Sequence, residues 1–72
     1  SFVPEAKSNE FQRAARALGF APARQKGSHQ RWRHPDGRAT TIPMHSATIS
    51  GSLYYAILKQ LGISEAEFKA IK

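Results

Sequence analysis

Apolar positions change their spacing along this chain, and each spacing predicts a different element. Phe11, Ala14, Ala15 and Leu18 recur at helical intervals. Ser8 is placed to cap that helix, Glu10 suits its first turn, and Gly19 stands where a helix end takes a left-handed residue. A helix over residues 9–18 follows, with Arg13 and Arg16 on its polar face. From Ser28 to His34 the period falls to that of a strand. Gln30, Trp32 and His34 share one face; His29, Arg31 and Arg33 share the other. Pro35-Asp36-Gly37 is turn chemistry, because Pro presets its own dihedral and Gly accepts a positive one. Arg38 to Ile42 returns as the partner strand, with β-branched Thr40, Thr41 and Ile42, and Pro43 ends it.

Flanking segments complete the pattern. Phe20 to Lys26 reads as a further short strand, which Pro22 confines to a sheet edge. Met44 to Thr48 reads as a loop. Ser50 or Ser52 then caps a second helix whose apolar stripe is Leu53, Ile57, Leu58 and Leu61, stopped by Gly62. Ser64 and Glu67 form a capping box before a short third helix carrying Phe68 and Ile71. Ser1 to Lys7 shows no periodicity and reads as a tail, leaving residues 8–72 as one domain. The predicted order, α-β-β-β-α plus a short C-terminal helix, is an α+β fold. Helices pack on one face of a three-stranded antiparallel sheet, and the other face is solvated.

Composition narrows the function classes. The 72 residues include no cysteine, so neither a disulfide framework nor a thiolate metal site is expected. An apolar fraction of 40% supports a core and argues against disorder. No apolar run approaches the roughly 20 residues of a membrane span. The first ten residues are mixed and polar, without a signal-peptide pattern. A cytoplasmic location is the expectation. Eleven Lys and Arg against five Asp and Glu give a net charge of +6, which points to a polyanionic partner. Arg24, Lys26, Arg31, Arg33 and Arg38 cluster around the predicted hairpin, with Asp36 as the acid among them.

The alternation puts an imidazole, His29, beside Arg31 and Arg33 on the solvated face. That combination suits binding, and cutting, a phosphate backbone; where the backbone is RNA, it carries its own nucleophile, the 2′-hydroxyl. Cleaving it takes a base for that proton, donors for the charge that builds on phosphorus, and an acid for the leaving 5′ oxygen. Imidazole serves as base or acid near neutrality. Arginines hold phosphate oxygens by paired hydrogen bonds. Lys26 and Ser28 flank the imidazole, and Arg38 extends the basic run. This scheme requires no metal or other cofactor, and the acids are too few for a magnesium site. A zinc site of His29, His34 and His45 is disfavoured, because the first two point to opposite strand faces. The plainer reading of the basic run is a solvated sheet face. Trp32 reads as a core anchor rather than a base-stacking platform, and His34 as a hydrogen-bonding element of the turn. Two roles stay open for His45, a solvated loop residue or an approach to the site. Tyr54 is core or partner-facing, and Tyr55 is exposed.

The ordered set Gly27, Ser28, His29, Trp32, His34, Pro35, Asp36, Gly37, Arg38, Thr41, Ile42, Pro43 and His45 resembles the HicA (YcfA-like) toxins. The later set Leu53, Ile57, Leu58, Gln60, Gly62, Ile63, Ser64 and Phe68 extends the resemblance over nearly everything after Lys7. It implies a fold similar to double-stranded-RNA-binding domains. It also implies an mRNA interferase activity that halts translation, and a HicB-type antitoxin that masks the active site. The family's catalytic histidine, the one in Gly-Ser-His, carries over to His29. The chain departs from the family pattern at Met44, where Arg is usual, and at Gly51-Ser52-Leu53-Tyr54, where Gly-Thr-Leu-Arg is usual. Gln30 stands where a second His is frequent. The rival reading is a non-catalytic module of the double-stranded-RNA-binding type, which would bind RNA and leave it intact.

Overall fold

The computed structural model describes residues 4–44 and 48–71. Within them the chain runs β1 (Glu5–Ala6), α1 (Ser8–Ala17), β2 (Ala21–Lys26), β3 (His29–Arg33), β4 (Ala39–Pro43), β5 (Ile49–Ser50), α2 (Gly51–Leu61) and α3 (Glu65–Ile71). Strands β2, β3 and β4 form an antiparallel sheet with β3 in the centre, and β1 pairs with β5 in a separate two-stranded ribbon. Gln30 and Trp32 of β3 and Thr40 and Ile42 of β4 are buried on one sheet face, under α1 and α2. The architecture is the expected α+β arrangement around a three-stranded antiparallel sheet.

Within the segment read as a tail, Glu5 and Ala6 form a short strand. Ala6 is buried, and Glu5 and Ala6 pair with Ser50 and Ile49. Two residues are too few for a strand period to register in sequence. The start of α1 also differs from expectation. Lys7, not Ser8, is its N-cap, and the Lys7 N–H donates to Glu10 Oε1 at 2.8 Å. The Ser8 hydroxyl is drawn elsewhere: it donates to the Pro43 carbonyl and accepts from Gln12 Nε2 at 3.0 Å. That bond ties the start of α1 to the end of β4, beside the strand that carries His29.

The core lies between the sheet and the helices. Phe11 stacks on Phe68 with centroids 4.6 Å apart and meets Tyr54 edge-on at 5.7 Å. Ala14 and Ala15, both fully buried, let α1 approach closely. In α2 the buried stripe is Tyr54, Ile57, Leu58 and Leu61, while Leu53 is 46% exposed and Tyr55 49%. The expected stripe thus turns by one residue, because Tyr54 rather than Leu53 completes the i, i+3, i+4, i+7 spacing with Leu61. The expected capping box of α3 is present: Ser64 N–H donates to Glu67 Oε1 at 3.0 Å, and Glu67 N–H to Ser64 Oγ at 3.1 Å.

The Tyr54 hydroxyl donates to Glu65 Oε2 at 3.0 Å. Burial, reinforced by this bond and the carboxylate charge, pushes its ionisation up to about 12 from an ordinary value of 10.0. The fold therefore favours neutral tyrosine. This contribution is complete below pH 10.0 and is lost as the pH rises towards about 12. Tyrosinate absorbance should show one hydroxyl resisting ionisation until near that upper value, and Tyr54→Phe should abolish the step. A wild-type titration completed by pH 10 would contradict this.

Candidate functional site

The hairpin joining β2 to β3 sets the site. Its connection is Gly27-Ser28, with Gly27 at φ 59°, the positive angle that a type II′ turn places at its first central residue. A two-residue connection fixes register, so Lys26 lies opposite His29 and Arg24 opposite Arg31. A shift between Pro22 and Arg24 then brings Ala21 opposite Arg33. On the other side Thr41 is opposite Arg31 and Pro43 opposite His29. Directly paired residues share a face. The solvent side therefore carries Lys26 and His29 in one row and Arg24, Arg31 and Thr41 in the next. Arg33 stands beyond them.

These side chains border an open concavity of about 400 Å³, lined by Arg24, Lys26, His29, Arg31, Arg33 and Thr41. Arg31 Nη1 donates to Thr41 Oγ1 at 3.3 Å, which leans the guanidinium across the strands. None of the residues lining the concavity is acidic. Like charges placed directly opposite on a sheet destabilise it, so the Arg24–Arg31 pair opposes folding and favours an anionic occupant. Gln30, buried on the other face, holds this arrangement. Its Nε2 donates to the Arg24 carbonyl at 3.0 Å and the Arg31 carbonyl at 3.1 Å.

The expected site residues divide. Lys26, His29, Arg31 and Arg33 come together. Ser28 sits in the turn and is not part of the concavity's lining; its carbonyl accepts the Met44 N–H at 2.6 Å. Arg38 is on the helix side. Its Nε donates to Asp36 Oδ2 at 2.7 Å and its Nη1 to the Leu61 carbonyl at 2.6 Å, with the guanidinium over the Phe20 ring at 5.3 Å. The Arg38 backbone N–H, together with its guanidinium, holds the Asp36 carboxyl below its ordinary value. Arg38 also fills the space outside Gly62: a Cβ there would stand 2.7 Å from Nη1, and Gly62 has φ 78°. Arg24, counted in the basic cluster, and Thr41, counted in the family pattern, were not assigned to the site from the sequence. The signal for Arg24 was the two-residue connection, which places it one pleat from Lys26.

His34 is half-buried between α1 and the turn. Its Nε2 lies 3.1 Å from the Leu18 carbonyl, and its Nδ1 lies 3.1 Å from the Asp36 backbone nitrogen and 2.9 Å from Asp36 Oδ1. The imidazole also meets Phe20 edge-on at 5.1 Å. It joins the hairpin to the helix, away from His29. His45, whose role was left open, lies outside the described residues.

The family profile described as HicA toxin of bacterial toxin–antitoxin matches residues 8–63. The chain belongs to the HicA toxin family. None of the curated proteins compared matches it. The match starts at the first residue of α1 and ends just after α2, so it contains every residue lining the concavity at His29 and leaves β1 and α3 outside. Its α+β fold is consistent with that of double-stranded-RNA-binding domains, as the HicA resemblance implied. Membership of a toxin–antitoxin family implies an antitoxin partner. Among the described residues no helix is long and apolar enough to cross a membrane.

Proposed function

We propose that this HicA-family toxin is a cytoplasmic mRNA interferase in which His29 is the catalytic base. The observation that carries the reading is the solvent-exposed His29 imidazole set among Arg24, Lys26, Arg31 and Arg33. In the proposed reaction His29 takes the 2′-hydroxyl proton and the 2′ oxygen attacks the adjacent phosphorus. The P–O5′ bond breaks, and the leaving oxygen takes a proton from the solvent to which the face is open. The products are a 2′,3′-cyclic phosphate and a 5′-hydroxyl. Arg31 stabilises the charge gathering on the phosphoryl oxygens, Arg33 holds phosphate oxygens of the same strand, and Lys26 stands beside the base. Ser28 shapes the turn that presents His29. No metal or other cofactor enters the scheme. A HicB-type antitoxin is proposed to cover the basic face, with acidic groups complementary to it.

Purified toxin should cut single-stranded mRNA in the presence of EDTA and leave cyclic-phosphate ends. It should spare an oligonucleotide carrying a 2′-deoxy substitution at the scissile position. Cutting of the deoxy substrate, or ends with a 5′-phosphate, would refute the mechanism. Binding with steep salt dependence but intact RNA would favour the non-catalytic reading.

A further inference from the structure

A second concavity lies at the far end of β3, around the hairpin turn. It is an open depression of about 420 Å³, lined by Gly19, Ala21, Arg33, His34, Gly37 and Arg38, among others. Arg33 borders both this space and the one at His29. Arg38 is held rigidly there by Asp36 and the Leu61 carbonyl, and a guanidinium has five N–H donors, more than those two bonds use. His34 forms a fixed wall through its bonds to Leu18 and Asp36.

We propose that a single RNA strand lies along β3. Its scissile phosphate sits at His29 and Arg31, the next phosphate at Arg33, and the adjoining nucleotide in the cavity between Gly19 and Arg38. This rests on the reading of the protein as an RNA endonuclease. Arg31 and Arg33 are two residues apart on one face, about 7 Å along the strand. That matches successive phosphates of an extended single strand. The His29 concavity offers cations and, apart from the His29 imidazole, no ring, so it grips phosphates, contacts that carry no sequence information. Base discrimination falls to the cavity beyond Arg33, where fixed donors and an imidazole wall meet the nucleotide.

Binding of short RNA oligonucleotides to the His29→Ala protein, where cleavage does not interfere, tests the track. Single strands should bind more tightly than the matching duplex. Arg33→Ala should weaken single-strand binding roughly tenfold and make the logarithmic salt slope less negative by about 0.7. Lys59→Ala, which removes the same charge from an exposed position on α2, should leave binding unchanged. Lengthening the oligonucleotide on one side of the scissile bond should tighten binding. Ala21→Phe, which fills the cavity at an exposed edge position without altering charge, should cancel that gain. Equal losses from Arg33→Ala and Lys59→Ala would overturn the proposal, as would a preference for duplex or indifference to length. The two readings fail separately. A wild-type protein that binds in this pattern but does not cut RNA retains the track and loses the enzyme. One that cuts RNA but is indifferent to Arg33→Ala and Ala21→Phe retains the enzyme and loses the track.

Discussion

His29→Ala should lower RNA cleavage by roughly 10²–10⁴-fold, the range a positioned acid–base group contributes, while the protein stays folded and still binds RNA. The side chain is exposed on the central strand. Its removal opens no core cavity, and exposed substitutions of this kind stay within about 0.5 kcal/mol. The strand is held by its pairing to Lys26 and Pro43, which is main-chain and survives the change. The surrounding cations remain, so phosphate affinity persists. Cleavage rates on a labelled mRNA, thermal unfolding and a gel-shift titration together check this. Retained cleavage would remove His29 from the mechanism. Lost cleavage with equally lost binding would make it a contact residue and not a base. Expression of the wild-type chain should arrest growth, and the His29→Ala chain should not.

Trp32→Ala should destabilise the fold by about 3–5 kcal/mol. For a chain of 72 residues the total stability is only about 4–11 kcal/mol, so this one change removes from about a quarter to all of it. Trp32 is 1% exposed and lies in the middle of the central strand. The Arg16 guanidinium covers it, 5.0 Å from the ring centroid. Its indole Nε1 is buried without a hydrogen-bond partner among the described residues. Trp32→Phe therefore removes volume and an unsatisfied donor together, and the relief of about 1–3 kcal/mol from the donor offsets much of the lost packing. Its net cost should stay below about 1.5 kcal/mol. Circular-dichroism melts of both variants check the pair. A Phe variant as unstable as the Ala variant would show that the indole N–H is satisfied in solution.

The fate of the arginines shows where local reading reached its limit. Arg31 and Arg33 were assigned to the solvent face by alternation with Trp32, and they lie there. The same parity was available for Arg38, which shares a face with Thr40 and Ile42. Both of those are buried, with the Thr40 hydroxyl donating to Gln60 Oε1 at 2.6 Å. Arg38 was grouped with the basic run by its charge, yet strand parity turns it towards the helices. Arg24 is the reverse case. Its strand is exposed along its whole length, so no apolar alternation marks which face it shows. Only its neighbour's register does.

The sequence by itself determined the three helices, the three strands of the main sheet, the turn at Pro35–Gly37, the burial of Trp32 and the opposition of His29 to it. These follow from period, dihedral preference and apolar content, all of which act over a few residues. The tertiary structure alone decided that Arg24 joins Lys26, Arg31 and Arg33 at His29. Strand pairing is a long-range choice, and a single shift between Pro22 and Arg24 resets the partners of everything beyond it. It also decided that Ser8 bonds across to Pro43, that Glu5–Ala6 finds a partner in Ile49–Ser50, and that Arg38 is anchored to the end of α2. Each of these joins groups distant in sequence whose polar atoms are satisfied only once the chain has brought them together.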